Sequence, residues 1–137
     1  VTKLLDEKVV IQLNYWRNGA NDDLTSAREI IAKSGRYGAG LFYLHLSVEK
    51  ILKALFVHKA KEFPPFSHNL LSLARKCNLE LSKSQETNLA IINEFNLMTR
   101  YPDDRDTFLQ KITAEYAADQ LKAGIEIFEW IAQHLDR

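Results

Sequence analysis

Apolar residues recur along this chain at steps of three and four almost without a break. Val9, Leu13, Trp16, Ala20, Leu24, Ala27 and Ile31 fall on one face of a single long helix over roughly residues 6–33. Gly19 costs about 1 kcal/mol against alanine inside it, and Asn21-Asp22 offers a second start, but the unbroken stripe favours one helix. Ser34-Gly35-Arg36 reads as a stop and turn. Tyr37 to Ala60 predicts a second helix, opening with the small residues Gly38, Ala39 and Gly40. It then turns apolar nearly all round, with Leu41, Phe42, Leu44, Leu46, Val48, Ile51, Leu52, Leu55 and Phe56. Such a helix belongs at the centre of a bundle or in a dimer interface. Phe63-Pro64-Pro65-Phe66 is expected to end it, because consecutive prolines do not continue a helix.

A short third helix is expected to open at Ser67 or His68, carry Leu70, Leu71, Leu73 and Ala74, and stop at Asn78. Ser82 with Gln85 forms a capping box for a fourth helix running to about Met98, with Leu89, Ile91, Ile92 and Phe95 inward. Arg100 to Asp106 reads as a charged turn. Thr113 caps a last helix to about Leu135, striped by Tyr116, Ala117, Leu121, Gly124, Ile125, Phe128 and Ile131. No strand alternation, internal repeat, low-complexity segment or dividing linker interrupts this pattern. The expected fold class is all-α: an up-and-down four-helix bundle with one additional short helix, in a single domain over residues 1–137.

Composition narrows the chemistry. The 137 residues are 46% hydrophobic and 26% charged, enough to bury a core without disulfides or metal. The single Cys77 excludes a disulfide framework and a cysteine-based zinc site, and fits a reducing, cytoplasmic compartment. Lys+Arg and Asp+Glu balance at 18 each, which argues against a strongly basic nucleic-acid binder but leaves room for a local basic site. No apolar run reaches the roughly 18–20 residues that span a bilayer, so no membrane partner is expected. The start, Val1 to Asp6, is too short and too charged for a signal peptide, and the missing initiator methionine suggests a processed end.

Some polar residues are candidates for function. Lys50 and Lys53 share a helix face, so both ammoniums could meet one phosphate; the alternative is a solvated stripe. Glu49 lies four before Lys53, the good orientation for an ion pair worth about 0.3–0.5 kcal/mol. His68 sits where a neutral imidazole accepts a backbone N–H at a helix start, or where it meets a ligand. His45 reads as a satisfied core or interface histidine, and His58 and His134 lie near helix ends, where a cation suits the dipole. Pro102 restricts Tyr101 to extended geometry. Arg100 then either pairs back to Asp103 or Asp104, or grips a phosphate bidentately while Tyr101 stacks on a base. With no glycine-rich phosphate loop, a nucleotide site must be built from side chains on helices. No His/carboxylate cluster has metal spacing. Cys77 reads as a small hydrophobe.

Three segments resemble a known family. Leu46-Ser47-Val48-Glu49-Lys50-Ile51-Leu52-Lys53-Ala54-Leu55 resembles the "A-x-E-K-x-x-K-A" helix of HEPN (higher eukaryote and prokaryote nucleotide-binding) domains. Ser67-His68-Asn69-Leu70 resembles their "(T/S)-H-(D/N)-L" segment, and Thr99-Arg100-Tyr101-Pro102-Asp103 their "A-R-Y-P-D" turn. Trp16, Ala20, Asp23-Leu24 and Ala27 fit the family's first helix, so the resemblance covers most of the chain. It implies an up-and-down bundle, often a homodimer. Small stand-alone prokaryotic members are commonly paired with a minimal nucleotidyltransferase, frequently as a toxin–antitoxin pair. It therefore implies an ATP/AMP-type nucleotide or an RNA end as ligand, near Lys50, Lys53, His68, Arg100, Tyr101 and Asp103, and no covalently bound cofactor. Tyr101 is one candidate acceptor for a transferred nucleotidyl group.

Many HEPN proteins are metal-independent ribonucleases that use an Arg, four to six intervening residues, then a His. Here Arg105, Asp106 and Thr107 stand at those distances from Arg100, and no other arginine has a histidine so placed. Histidine suits both proton transfers of that reaction near neutral pH, whereas arginine stays protonated and aspartate is a weak base. The expectation is a non-catalytic module dimerising through the second helix. The alternatives are a ribonuclease in which His68 or His58 replaces the missing histidine, and a ligand-free dimeric adaptor using the Phe63–Phe66 loop.

Overall fold

A computed structural model describes residues 3–96 and 102–136. Among them there is no strand. Helix α1 spans Asp6–Glu29 and its last turn widens into a π-helical turn, Ile30–Ser34. Gly35 follows with φ 70°, the left-handed geometry that a residue without Cβ adopts cheaply. Helix α2 spans Tyr37–Ala60 as expected. It stops at Lys61, which takes φ 57° and donates its N–H to the Val57 carbonyl. The stop thus precedes the prolines, which keep the following chain extended rather than ending the helix themselves.

Helix α3 is Leu70–Lys76 and begins later than expected. Its cap is Asn69, whose side chain accepts from the Ser72 N–H at 2.9 Å, while Ser67 Oγ accepts from the Asn69 N–H at 3.1 Å. The stop at Asn78 is borne out, with φ 56°. Helix α4, Lys83–Glu94, carries the expected capping box: Ser82 Oγ accepts from the Gln85 N–H at 3.1 Å and Gln85 Oε1 from the Ser82 N–H at 2.9 Å. Met98, its expected end, lies outside the described residues. The charged turn is overturned from Pro102 onward, where helix α5 runs Pro102–Lys111. Proline suits a first helical position because its missing N–H has no partner there. Helix α6, Ala114–Gln133, is capped by Thr113, whose Oγ1 accepts from the Tyr116 N–H at 3.0 Å, and ends in a 3₁₀ turn, His134–Asp136.

Long-range contacts give the order up, down, up, down for α1, α2, α4 and α6. The start of α1 is tied to the end of α2: the Leu4 N–H donates to the Lys61 carbonyl at 2.7 Å and Lys3 Nζ to the Ala60 carbonyl at 2.6 Å. Near the end of α2, Lys59 Nζ donates to the Cys77 carbonyl at 2.6 Å, just before α4 begins. The end of α4 returns to the start of α3 through Asn93 Oδ1, which accepts from the Leu70 N–H at 3.0 Å. Helix α6 then runs alongside α2, with Gly124 against Leu44, and reaches α1 through Arg17 and Asp136 at 3.8 Å.

Helix α2 is the hub, packed against α1, α3, α4 and α6. Fourteen of its 24 residues are buried within a single chain. Its apolar girth therefore fills the bundle's own core, the first of the two places expected for such a helix. Leu41, Leu44, Ile51, Leu52 and Leu55 meet Leu70, Leu73, Leu89, Ile92, Phe95 and Ile131 there, all fully buried.

Candidate functional site

One face of α2 carries His45, Glu49 and Lys53 at successive steps of four, and all three are buried. A buried carboxylate costs several kcal/mol unless donors surround it. Glu49 meets that need from two elements. Its Oε2 accepts from Lys53 Nζ at 3.1 Å, and its Oε1 accepts from His68 Nδ1 at 3.0 Å, in the loop before α3. His45 completes the knot: its Nε2 donates to the His68 carbonyl at 3.1 Å, and its Nδ1 lies 3.9 Å from Glu49 Oε1. A carboxylate only accepts, so the His68 proton sits on Nδ1 and Nε2 is the basic nitrogen of the neutral ring. That ring is 63% exposed.

Lys53 also lies 5.1 Å from the Trp16 ring centroid, a cation–π contact across to α1. Trp16 is held in turn by its Nε1–H, which donates to Gln12 Oε1 at 3.1 Å. Lys53, Gln12 and Trp16 join Phe63, Pro64, Pro65 and Phe66 around a cleft of about 130 Å³. Phe66 is fully exposed and Phe63 half-exposed. A cation beneath flat apolar walls suits a planar ring bearing an anionic group.

The expected site residues separate into groups. Lys53 and His68 come together through Glu49. Lys50 instead reaches α1, with Nζ 2.7 Å from Asp23 Oδ2 and its stem beside Gly19. The two ammoniums thus answer to different carboxylates rather than converging on one phosphate. His68 does not cap α3, because Asn69 takes that place. Arg100 and Tyr101 lie outside the described residues, as does the Asp103 side chain. His45 is the core histidine expected, fully buried and held through Nε2, and His134 Nδ1 donates to the Trp130 carbonyl at 2.8 Å.

Cys77 is buried, its Sγ donating to the Leu52 carbonyl at 3.4 Å. Burial pushes the thiol up to about 12 despite the nearby Lys59 cation, which removes it as a nucleophile. Burial, with a smaller contribution from Glu94, likewise raises the Tyr116 phenol. No group of three or more metal-ligating side chains forms among the described residues, and no helix there is long and apolar enough to cross a membrane.

Sequence reasoning placed His45, Glu49 and Lys53 on one face but weighed them only as too small a set for a metal, and passed over Trp16, Phe63 and Phe66 as cleft walls. The available signal was the run His45, Glu49, Lys53, three polar groups in line on an otherwise apolar helix.

A helical bundle with a buried charged knot on its central helix defines the class, and comparison with family models gives the family. The HEPN domain model matches residues 13–135, and the chain belongs to that family. No curated protein and no solved structure matches it.

Proposed function

We propose that this HEPN domain is a nucleotide-associated, non-catalytic module that receives a nucleotide or RNA end at the cleft between Lys53, Trp16 and the Phe63–Phe66 loop. In this reading it acts beside a minimal nucleotidyltransferase, in the manner of a toxin–antitoxin pair. The observation that carries it is the Lys53 ammonium at the floor of a cleft walled by Trp16, Phe63 and Phe66, with His68 joined to it through Glu49. Stacking on such walls is worth about 1–3 kcal/mol per base, and the cation offsets a phosphate. A cleft of about 130 Å³ takes one ring system and leaves the rest of the ligand outside.

The test is titration of AMP and ATP, with and without magnesium, followed by backbone-amide NMR. Saturable shifts at Lys53, His68 and the Phe63–Phe66 loop are expected, and Phe66→Ala should weaken binding roughly tenfold, the value of one lost stacking contact. No shift at millimolar nucleotide overturns the ligand. The partner is tested by incubating the chain with ATP and a minimal nucleotidyltransferase and reading the intact mass. Transfer of AMP to the Tyr101 hydroxyl, with pyrophosphate released, adds one adenylyl group that Tyr101→Phe abolishes.

A specific observation favours a second reading. A buried carboxylate holding an exposed imidazole through Nδ1 is the arrangement of an oriented general base, which suits His68 as the replacement for the missing ribonuclease histidine. Cleavage of RNA in the presence of a chelator, lost in His68→Ala, would establish it; intact RNA leaves the non-catalytic reading standing.

A further inference from the structure

We propose that His68 is a phosphoryl-acceptor site, which takes a phosphoryl group on Nε2 from a small donor of the phosphoramidate class. One edge of its ring is fixed from below. The Nδ1–H is held by Glu49 Oε1 at 3.0 Å, and Glu49 is only 4% exposed. The backbone is fixed as well. The His68 carbonyl accepts from His45 Nε2 at 3.1 Å, and the neighbouring Ser67 N–H donates to the Pro65 carbonyl at 3.0 Å. The opposite edge is left to solvent: the ring is 63% exposed, and Nε2 has no hydrogen-bond partner among the described residues.

This arrangement makes a nucleophile. A carboxylate on Nδ1–H pushes electron density toward Nε2 and stabilises the imidazolium that forms when Nε2 bonds to phosphorus. Lys53, on Glu49 Oε2 at 3.1 Å, cancels the carboxylate's charge at longer range, so an anionic donor is not repelled. Two other histidines lack the set. His45 is fully buried, and His134 gives its Nδ1 proton to the neutral Trp130 carbonyl while its ring packs on Trp130. Phosphoramidate carries a protonated amine, so the transfer itself moves no proton. The donor's P–N bond breaks and ammonia leaves with that electron pair, while Nε2 supplies the pair for the new N–P bond. The product is an imidazolium whose Nδ1–H stays on Glu49, a good leaving group from which the phosphoryl group can pass to a hydroxyl or to water. None of this uses the Phe63–Phe66 cleft or a nucleotide, so the inference stands apart from the nucleotide reading.

The test is incubation of the full chain with potassium phosphoramidate. Mass spectrometry at neutral pH locates the modified residue, and phosphorus NMR identifies the nitrogen. His68 should be phosphorylated on Nε2 at least about tenfold faster in the folded chain than in the same chain unfolded in urea, where Glu49 no longer holds the ring. Glu49→Gln combined with Lys53→Met removes the carboxylate without stranding the lysine. It should lose that advantage while the helical circular dichroism spectrum is kept, and the wild-type comparison holds whether or not this variant folds. Equal rates in the folded and unfolded wild-type chain overturn the proposal, because the ring is then merely exposed. So does phosphate on Nδ1, and so does an advantage that survives in the folded double variant.

Discussion

Glu49 is the residue on which the buried polar chemistry turns, because it holds a lysine from its own helix and a histidine from a loop. Glu49→Ala leaves the Lys53 ammonium, with its side chain 7% exposed, without its carboxylate. The expected loss is about 3–5 kcal/mol of folding stability by urea denaturation, the usual cost of stranding a buried charge. Replacing both partners by apolar residues, Glu49→Leu with Lys53→Met, should recover most of it, and a single loss below about 1 kcal/mol would show that water reaches the pair. Cys77 gives a prediction in pH. Its thiol rises from 9.0 to about 12 on folding, so the neutral form is the favoured one in the native state. The stability this contributes is fully present below the unfolded value and is lost as pH rises through that interval. In the native protein a disulfide reagent should leave Cys77 untouched at about pH 8 and label it fully once the chain is unfolded.

Between elements, close approach depends on two glycines, and their surroundings rank them. A methyl at Gly124 would stand 2.6 Å from both Leu44 terminal carbons and 2.9 Å from the branch carbon. Leu44 is fully buried and has nowhere to turn, so Gly124→Ala should cost about 1–3 kcal/mol by thermal unfolding. At Gly40 the methyl would overlap Ile31 at Cγ1, close to that residue's own backbone in the π turn, and a β-branched side chain is stiff there. Gly40→Ala should therefore cost at least as much as Gly124→Ala, and the reverse order would mean that the α1–α2 contact yields more easily than α2–α6. Ser82→Ala, which removes one half of the capping box at α4, should cost about 1 kcal/mol.

For the whole molecule, the core that gives stability and the cleft proposed for a ligand lie in different places. The core runs around α2, while the cleft wall at Phe63–Phe66 hangs on a loop whose outermost ring touches little of the chain. Phe66→Ala should thus shift the denaturation midpoint by no more than about 0.5 kcal/mol while weakening nucleotide binding. A large stability loss would instead make the loop part of the core.

Much of the fold is written in local pattern. Helix period, the Ser82–Gln85 box, the Thr113 cap, the Gly35 turn and the Asn78 stop all involve residues within about four of one another, and a chain states such relations directly. Helix α5 was local too, and was missed because a dense run of charges was weighed above proline's preference for a first turn. The site was not local. Glu49 finds His68 19 residues away, and Lys50 finds Asp23 on another helix, because the path of the loops and the rotation of α1 on α2 set those pairings. The same holds for surface. An apolar girth on α2 and the apolar stripe of Ala114, Ala118, Leu121 and Ile125 on α6 are alike in sequence, and only the packing of all the helices together covers the first and leaves the second beside an open groove.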